Sequence, residues 1–276
     1  MKKYHLVVNE LKKLIKEEIS TPEYPDEGDI LLVHTYQYLH KLKTLSLSFW
    51  EEARLELPLS TQLLRASYWH TGGSIDALKT SLEKGAGINV GGGFHHAYPD
   101  HGEGFCVLND VAIALRKGLK GKWFTKSLIL DCDLHQGNGN AFIFRDEESV
   151  FTFSIHQENN YPFPKEKSDL DIGLEDGTED EEYLSILKTA LSTTLDSFQP
   201  EVIVYIAGAD PYEKDLLGGL KLTKDGLRKR DEIVREEAKQ RNIPVMLTLG
   251  GGYAPNVEDT VSIHLHSILA IKSLGW

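Results

Sequence analysis

Short apolar runs alternate with longer amphipathic stretches through the chain after residue 86. The runs GINV, SLILD, VFTFSI, EVIVYIAG and PVMLTLG lie at 87–90, 127–131, 150–155, 201–208 and 244–250. Continuous apolar runs of this length are typical of strands buried on both faces of a parallel sheet. The intervening stretches predict helices over about 105–118, 180–197, 223–240 and 257–273. The alternation therefore predicts an α/β fold, a three-layer αβα arrangement with a mainly parallel central sheet.

The N-terminal part is predicted to be helical. Apolar residues at helical spacing mark a first amphipathic helix: Leu6, Val7, Leu11, Leu14 and Ile15. A second helix is predicted from about Ile30 to Leu45, after the Thr-Pro and Tyr-Pro turns. Because no low-complexity linker or repeat interrupts the pattern, we expect one domain over residues 1–276.

The chain is acidic, with 30 Lys and Arg residues against 42 Asp and Glu residues and a formal net charge of -12. Such a surface repels phosphate backbones and anionic lipids, so neither nucleic acid nor a membrane is expected as a partner. It suits a cationic ligand, for example a lysine-rich peptide or a polyamine. The use of only two cysteines and the lack of a signal-peptide core predict a reducing, cytoplasmic location.

Metal-binding side chains follow two of the predicted strands. Asp131, Asp133 and His135 alternate after the SLILD strand, so they point to one side. Asp210 follows the EVIVYIAG strand and can reach the same crevice. Two carboxylates and one imidazole leave an open position on a tetrahedral metal, which is typical of a catalytic site. The alternatives are a structural hydrogen-bond network and, for Asp210 alone, a helix cap.

Two glycine runs carry further candidate groups. His95 and His96 follow Gly91–Gly93, and a pair of imidazoles there could move protons. Tyr253 follows Gly250–Gly252, where a phenol could stabilise an oxyanion. Neither run is followed by the Gly-Lys-Ser/Thr of a phosphate loop, so a nucleotide site is disfavoured.

The motifs GGGFHH, GEGFCVLND, DCDLHQGNGN, SIH, YIAGAD and GGGYA occur in an order that resembles the histone deacetylase family, which shares its fold with arginases. The resemblance covers about residues 30–260. Within the family, HQGNG, TGGSIDAL, INVGGGFHH, DGTEDEEYL and LGGL look most like the class IV branch.

The resemblance implies roles for individual residues. Asp133, His135 and Asp210 would be the ligands of one Zn²⁺ ion, with His95 and His96 as general acid and base and Tyr253 as the oxyanion donor. Asp131 would orient His95. Asn138 stands where class I enzymes place an Asp behind the second histidine, which predicts a lower pKa for His96 than in those enzymes.

The resemblance also implies ligand-binding positions. The expected substrate-binding residues are Gly104, Phe105, Phe163, Leu217 and Gly251, of which Phe105 and Phe163 would form the aromatic pair around the lysine methylenes. A potassium site is expected at Asp131, Asp133, His135, Ser154 and Ile155. Family members usually begin with a strand and a loop, whereas this sequence predicts a helix almost from Met1. The loop 96–103 has no close match in the family.

These expectations predict a zinc-dependent hydrolase that removes acyl groups from lysine, with long fatty-acyl groups among the candidate substrates. One alternative is a deacetylase acting on acetylpolyamines or other small amides, and another is a non-catalytic protein that binds acyl-lysine. A ureohydrolase with two manganese ions is disfavoured because DCDLHQGNG lacks the third Asp of its DAHxD segment.

Overall fold

A parallel sheet organises the part of the chain described by the computed structural model, which covers residues 2–15 and 19–275. The strands are β1 Ala86–Ile88, β2 Ser127–Asp131, β3 Val150–Gln157, β4 Leu170–Leu174, β5 Val202–Ile206 and β6 Val245–Thr248. Their order across the sheet is β1-β6-β5-β2-β3-β4, and all neighbouring pairs are parallel. The carboxyl ends of all strands therefore lie at one edge of the sheet.

Helices cover both faces of this sheet. One layer contains α1 Lys2–Leu14, α8 Asp180–Phe198, α9 Lys224–Arg241 and α10 Val257–Lys272. The other contains α2 Glu27–Ile30, α3 Tyr36–Lys43, α4 Phe49–Leu55, α5 Thr61–Lys84, α6 Asp110–Lys120 and α7 Asn138–Phe144. The predicted three-layer αβα fold is confirmed.

The strand residues alternate between two hydrophobic cores. In β2, Leu128 and Leu130 face the core under α1 and α8 to α10, whereas Ile129 faces the core under α2 to α7. All five residues of β2 are buried, as are all five of β5. This two-sided burial explains why these strands have continuous apolar runs in the sequence.

The predicted strands and the last three predicted helices are confirmed, with boundaries shifted by up to a few residues. The helix expected from residue 105 begins at Asp110, because Phe105 has a left-handed φ of 67° and Asn109 caps the helix by accepting from the Ala112 N–H group. Of the helix expected from Ile30 to Leu45, only the part that forms α3 is confirmed, because α2 already ends at Ile30. Thr35 is extended between them and caps α3.

Some elements were not predicted. They are β4, α4, α5 and α7. No helix within residues 2–15 and 19–275 is both long and apolar enough to cross a membrane.

Candidate metal and catalytic site

The three predicted metal ligands come together at the carboxyl edge of the sheet. β2 and β5 are neighbours, so Asp133, which follows β2, lies beside Asp210, which follows β5. One potential ligand atom from each of Asp133, His135 and Asp210 lies within 4.8 Å of the others. The Nδ1 atom of His135 is 3.3 Å from the Asp133 Oδ1 atom and 3.4 Å from the Asp210 Oδ2 atom.

The polar atoms of this triad fit a bound cation. Asp210 is fully buried, and its Oδ2 atom has no hydrogen-bond partner among the described residues, although its Oδ1 atom accepts from the Leu134 N–H group at 3.0 Å. Burial and the neighbouring Asp133 raise the pKa of Asp210 to about 6. His135 is buried, which disfavours its charged form, but the two carboxylates raise its pKa to about 10. A positive charge is therefore favoured between these side chains, and one imidazole with two carboxylates is a donor set that zinc accepts.

The backbone of the glycine run after β6 supports the triad. The Gly251 N–H group donates to the Asp133 Oδ2 atom at 2.7 Å. A Cβ atom at Gly251 would lie 2.0 Å from the Asp210 Oδ2 atom, so only glycine allows the chain to pass this close to the carboxylates. Gly251, predicted to bind substrate, thus lines the pocket and also shapes the metal triad.

The tandem histidines, His95 and His96, have different partners. The His95 Nδ1 atom lies 2.6 Å from the Asp131 Oδ2 atom, and its Nε2 atom lies 3.7 Å from the Asp133 Oδ1 atom. The His96 Nδ1 atom lies 2.6 Å from the Asn138 Oδ1 atom. The structure therefore pairs each histidine with the residue that the sequence predicted.

The pKa values of the two imidazoles are shifted in opposite directions. Burial lowers the pKa of His95, but Asp131 and Asp133 outweigh it and raise that pKa to about 9. Burial and the nearby His95 and His135 hold the pKa of His96 well below its usual value. Its hydrogen bond to Asn138 acts in the opposite direction. The low pKa of His96 therefore results from burial and neighbouring imidazoles.

A carboxylate at the start of α6 anchors the loop that carries the tandem histidines. Gly92 and Gly93 have φ values of 70° and 81°, which turn the chain sharply after β1. The Gly93 and Phe94 N–H groups then donate to the carboxylate of Asp110 at 3.1 and 2.8 Å. The buried Asp110 also accepts a short hydrogen bond from the Ser74 hydroxyl group. The loop is thereby fixed to α5 and α6.

Tyr253 follows the glycine run that supports the metal triad, and it lines the same pocket. Its N–H group donates to the Asp215 Oδ2 atom at 2.6 Å. The partly buried Lys3 ammonium donates to the Gly250 carbonyl at 2.9 Å and lies 5.2 Å from the centre of the Tyr253 ring. Burial, together with the metal-binding carboxylates, raises the pKa of Tyr253 well above its usual value. The phenol stays protonated and can donate a hydrogen bond.

Asp133, His135, the tandem histidines and Tyr253 line a pocket of about 250 Å³, and the third triad residue, Asp210, is buried behind its wall. Gly104, Phe105, Leu217 and Gly251 line it, as expected for substrate-binding residues. Phe163 does not, because 73% of its surface is exposed and it lies along a neighbouring groove, under the Lys165 ammonium.

Tyr161 lines the pocket where Phe163 was expected. Its ring packs edge-on against His96, with centroids 5.0 Å apart, and its hydroxyl group donates to the Glu103 Oε1 atom at 2.6 Å. These contacts hold Tyr161 inward. Phe105 and Tyr161 are therefore both among the aromatic residues that line the pocket.

The residues expected to bind potassium lie at and just after the end of β2 and in the neighbouring strand β3. Asp131 and Ser154 are register partners in β2 and β3, and Ser154 and Ile155 are buried. The Asp131 Oδ1 atom accepts from the Asp133 N–H group at 3.1 Å. Potassium binding here remains a prediction.

Glu103, Tyr161 and Asp215 are among the residues in and around the pocket that were not predicted. Glu103 lies in a loop without a close family match, and Tyr161 lies two residues from the aromatic position that was chosen. Asp215 follows Asp210 closely, and its acidic side chain in a glycine-rich loop was the available signal.

A triad that could hold a metal ion, a pair of histidines with separated pKa values and a protonated phenol lie together at one site of this α/β fold. The histone deacetylase domain family matches residues 1–268, and the chain belongs to the histone deacetylase family. Its assignment to the class IV branch remains a prediction.

Individual known proteins are also similar to this chain. The chain is 40% identical over 253 residues to an uncharacterized protein of Picosynechococcus sp., covering 92% of this chain and 84% of that protein. It is 32% identical to histone deacetylase 2 of Arabidopsis thaliana over 87% of this chain, but it spans only 64% of that relative's length. The crystal structure of a histone deacetylase homologue from Aquifex aeolicus superposes with a TM-score of 0.84 at 27% identity, covering 98% of this chain and 77% of that one.

Proposed function

We propose that this protein hydrolyses the amide bond of acylated lysine, with one zinc ion held by Asp133, His135 and Asp210. The observation that carries the proposal is the neutral His96 beside the buried triad, with the phenol of Tyr253 lining the same pocket. A bound zinc ion would polarise the acyl carbonyl group and make a water molecule more acidic.

The side chains of the chain supply the remaining steps. With its Nδ1 atom engaged by Asn138, His96 has its Nε2 atom available, and its low pKa keeps that atom unprotonated at neutral pH. The Nε2 atom accepts a proton as the water oxygen bonds to the acyl carbon. The Tyr253 hydroxyl group donates to the oxyanion that forms. The C–N bond then breaks, the proton passes from His96 to the lysine nitrogen, and a carboxylic acid is released.

The shape of the pocket favours an extended alkyl amine as the substrate. Phe105 and Tyr161 provide aromatic walls, and the pocket volume of about 250 Å³ suits one narrow side chain. A second candidate is an acetylated polyamine, favoured by Glu56 at the same pocket, because its carboxylate could pair with a second amine. We also propose that potassium, held by Asp131 with the backbone around Asp133, His135, Ser154 and Ile155, supports the loop after β2.

A hydrolysis panel tests the proposal. The zinc-loaded protein should release a carboxylic acid from acetyl-lysine or myristoyl-lysine peptides faster than from acetylpolyamines, and His96→Gln should abolish the activity. Preference for acetylpolyamines would favour the second candidate. Binding of acyl-lysine peptides without turnover, at one zinc ion per chain, would instead show a binding protein and refute the proposal.

A further inference from the structure

A polar cluster extends from the Nδ1 atom of His96. Asn138 is buried, and its Oδ1 atom lies 2.6 Å from the His96 Nδ1 atom. Its Nδ2 atom donates to the Glu103 Oε1 atom at 2.8 Å and to the Tyr98 hydroxyl oxygen at 3.3 Å. The Glu103 Oε1 atom also accepts from the Tyr161 hydroxyl group at 2.6 Å. Glu103 is thus connected to His96 through a single amide.

Glu103 is held as an anion. Its side chain is 17% exposed, and burial by itself would raise its pKa. The hydrogen bonds from His101, Tyr161 and Asn138 outweigh burial and lower that pKa below its usual value. A carboxylate has lone pairs and no hydrogen to donate, so it can only accept hydrogen bonds from its neighbours.

This restriction decides the direction of every hydrogen bond between Glu103 and His96. Asn138 must turn its NH₂ group towards Glu103, which leaves its oxygen facing the His96 Nδ1 atom. That oxygen accepts only if the Nδ1 atom carries a hydrogen, and the neutral imidazole then has its lone pair on the Nε2 atom. The orientation of the amide follows from the chemistry of the carboxylate.

We propose that Glu103 is a positioning residue that fixes the tautomer of His96 through the Asn138 amide, so that the Nε2 atom is always the proton acceptor. Without the anion, the amide can rotate and present its NH₂ group to the Nδ1 atom, which stabilises the tautomer protonated at the Nε2 atom. That tautomer cannot accept a proton from water. The consequence for turnover rests on the proposed role of His96 as the base.

The first test is the kinetics of Glu103→Gln, which keeps the size of the side chain but can either donate or accept. Loss of a general base costs about 10²- to 10⁴-fold in rate. Because only part of the His96 population would change tautomer, we expect kcat to fall by about 10- to 100-fold with KM within about twofold of wild type. Glu166→Gln is the matched control, since Glu166 accepts from Tyr98 in the same cluster and does not contact Asn138. It should keep wild-type kcat.

The second test observes the tautomer directly and does not need activity. In zinc-loaded protein labelled with ¹⁵N-histidine, and with His96→Gln used for assignment, the wild type should show a protonated Nδ1 atom and an unprotonated Nε2 atom at His96. Glu103→Gln should add signals of the other tautomer. An unchanged tautomer in Glu103→Gln overturns the proposal, whether or not kcat falls. If the wild type hydrolyses no substrate, the proposed function fails, but this measurement still decides the role of Glu103.

The third test exchanges the carboxylate at position 103 with the amide at position 138. Asn138→Asp alone places two carboxylates in hydrogen-bond contact, so they compete for a proton and kcat should fall. In the double variant Glu103→Gln/Asn138→Asp, the carboxylate introduced at position 138 accepts from the His96 Nδ1–H group and from the amide introduced at position 103, so the required polarity returns. Because a carboxylate beside His96 also raises the pKa of that imidazole, each variant is compared at its own pH optimum, where we expect the kcat of the double variant to exceed that of either single variant by about tenfold. A double variant no better than the single variants would contradict the proposal.

Discussion

His95 and His96 are adjacent in the chain, yet their pKa values are shifted in opposite directions. Although burial disfavours charge on both, Asp131 and Asp133 raise the pKa of His95 to about 9. His96 has an amide rather than a carboxylate at its Nδ1 atom, and its pKa falls well below its usual value. One imidazole is therefore neutral where a base is needed, and the other is held in place by carboxylates.

At the same scale, Tyr253→Phe separates metal binding from transition-state stabilisation. The substitution removes one hydroxyl group and leaves all three metal ligands in place, so the variant should bind zinc as the wild type does. Loss of one oxyanion donor costs about 10²- to 10³-fold in kcat. Zinc content measured by mass spectrometry and steady-state kinetics check both parts, with the exposed Tyr36→Phe as the control. Turnover near that of wild type would remove Tyr253 from the mechanism.

His34 makes a separate prediction about stability and pH. It is buried, which lowers its pKa to about 4, and its Nε2 atom accepts from the backbone N–H group of Asn109 at 3.0 Å. In the unfolded chain its pKa is near 6.5, so the unfolded state binds a proton that the folded state excludes. Below pH 6.5 the free energy of unfolding should fall, by about 2 kcal/mol at pH 5 from this group alone.

Urea unfolding at pH 7 and pH 5 measures this loss. Other buried histidines add to it, so the comparison is with His34→Gln, which does not titrate. The variant should lose about 2 kcal/mol less than the wild type between the two pH values, whereas the exposed His5→Gln should behave as the wild type does. Equal losses in the wild type and His34→Gln would show that His34 is protonated without cost to the fold.

At the scale of elements, helix α9 fixes the ends of the two strands that lead to the metal triad. Arg230 is fully buried on α9, and its Nη1 atom donates to the Gly208 carbonyl at 2.6 Å and to the Cys132 carbonyl at 3.3 Å. Its neighbour Asp231 pairs with it at 2.9 Å and accepts from Tyr205 at 2.6 Å. The two carbonyls lie just after β5 and β2, close to Asp210 and Asp133.

Arg230→Met should therefore weaken both the fold and metal binding. Removing one partner of a buried ion pair costs about 3–5 kcal/mol, because the other charge is left unpaired. Loss of groups that orient metal ligands lowers metal affinity by about 10- to 100-fold. Urea unfolding and a competitive zinc titration check these effects. Arg230→Met/Asp231→Asn should recover part of the stability but not the affinity, and unchanged zinc affinity in Arg230→Met would contradict the link.

The elements also show what the sequence can predict. The strands β2 and β5 are buried on both faces, so their apolar runs are continuous and their positions were clear. Strand β4 is the outermost strand on one side of the sheet. Some of its residues are exposed, and its sequence, LDIGL, is not a continuous apolar run. Helix α5 contains Gly72 and Gly73 and buries Ser and Thr residues, so its apolar face is weak. Its tertiary contacts with α6 and β1 are not visible in the sequence.

In the site, too, residues placed by the strands could be predicted from the sequence, whereas residues placed by tertiary contacts could not. Asp133 and Asp210 were predictable because parallel strands bring their carboxyl ends to one edge. Glu103 and Tyr161 were not, because they lie in loops without periodicity. Their positions depend on hydrogen bonds that Glu103 accepts from Tyr161 and Asn138.

At the scale of the whole molecule, the metal triad joins segments that are distant in the chain, so metal binding should stabilise the whole fold. A ligand present at about 1,000 times its Kd stabilises the folded state by about 4 kcal/mol, which corresponds to roughly 10 °C in Tm for a chain of this size. Removing zinc with a chelator should lower Tm by that order. The chelator should change the Tm of Asp210→Asn very little, because this variant lacks one of the three expected zinc ligands.

The metal-free proteins give the sharper comparison. Asp210 is a buried carboxylate beside Asp133, with a pKa raised to about 6, so its charge opposes folding at pH 7 when no cation is present. We therefore expect metal-free Asp210→Asn to melt at or above the Tm of the metal-free wild type, although it melts below the zinc-loaded wild type. The exposed Asp146→Asn serves as the control and should retain the full response to zinc. If metal-free Asp210→Asn is clearly less stable than the metal-free wild type, the carboxylate has a structural role that does not depend on a cation.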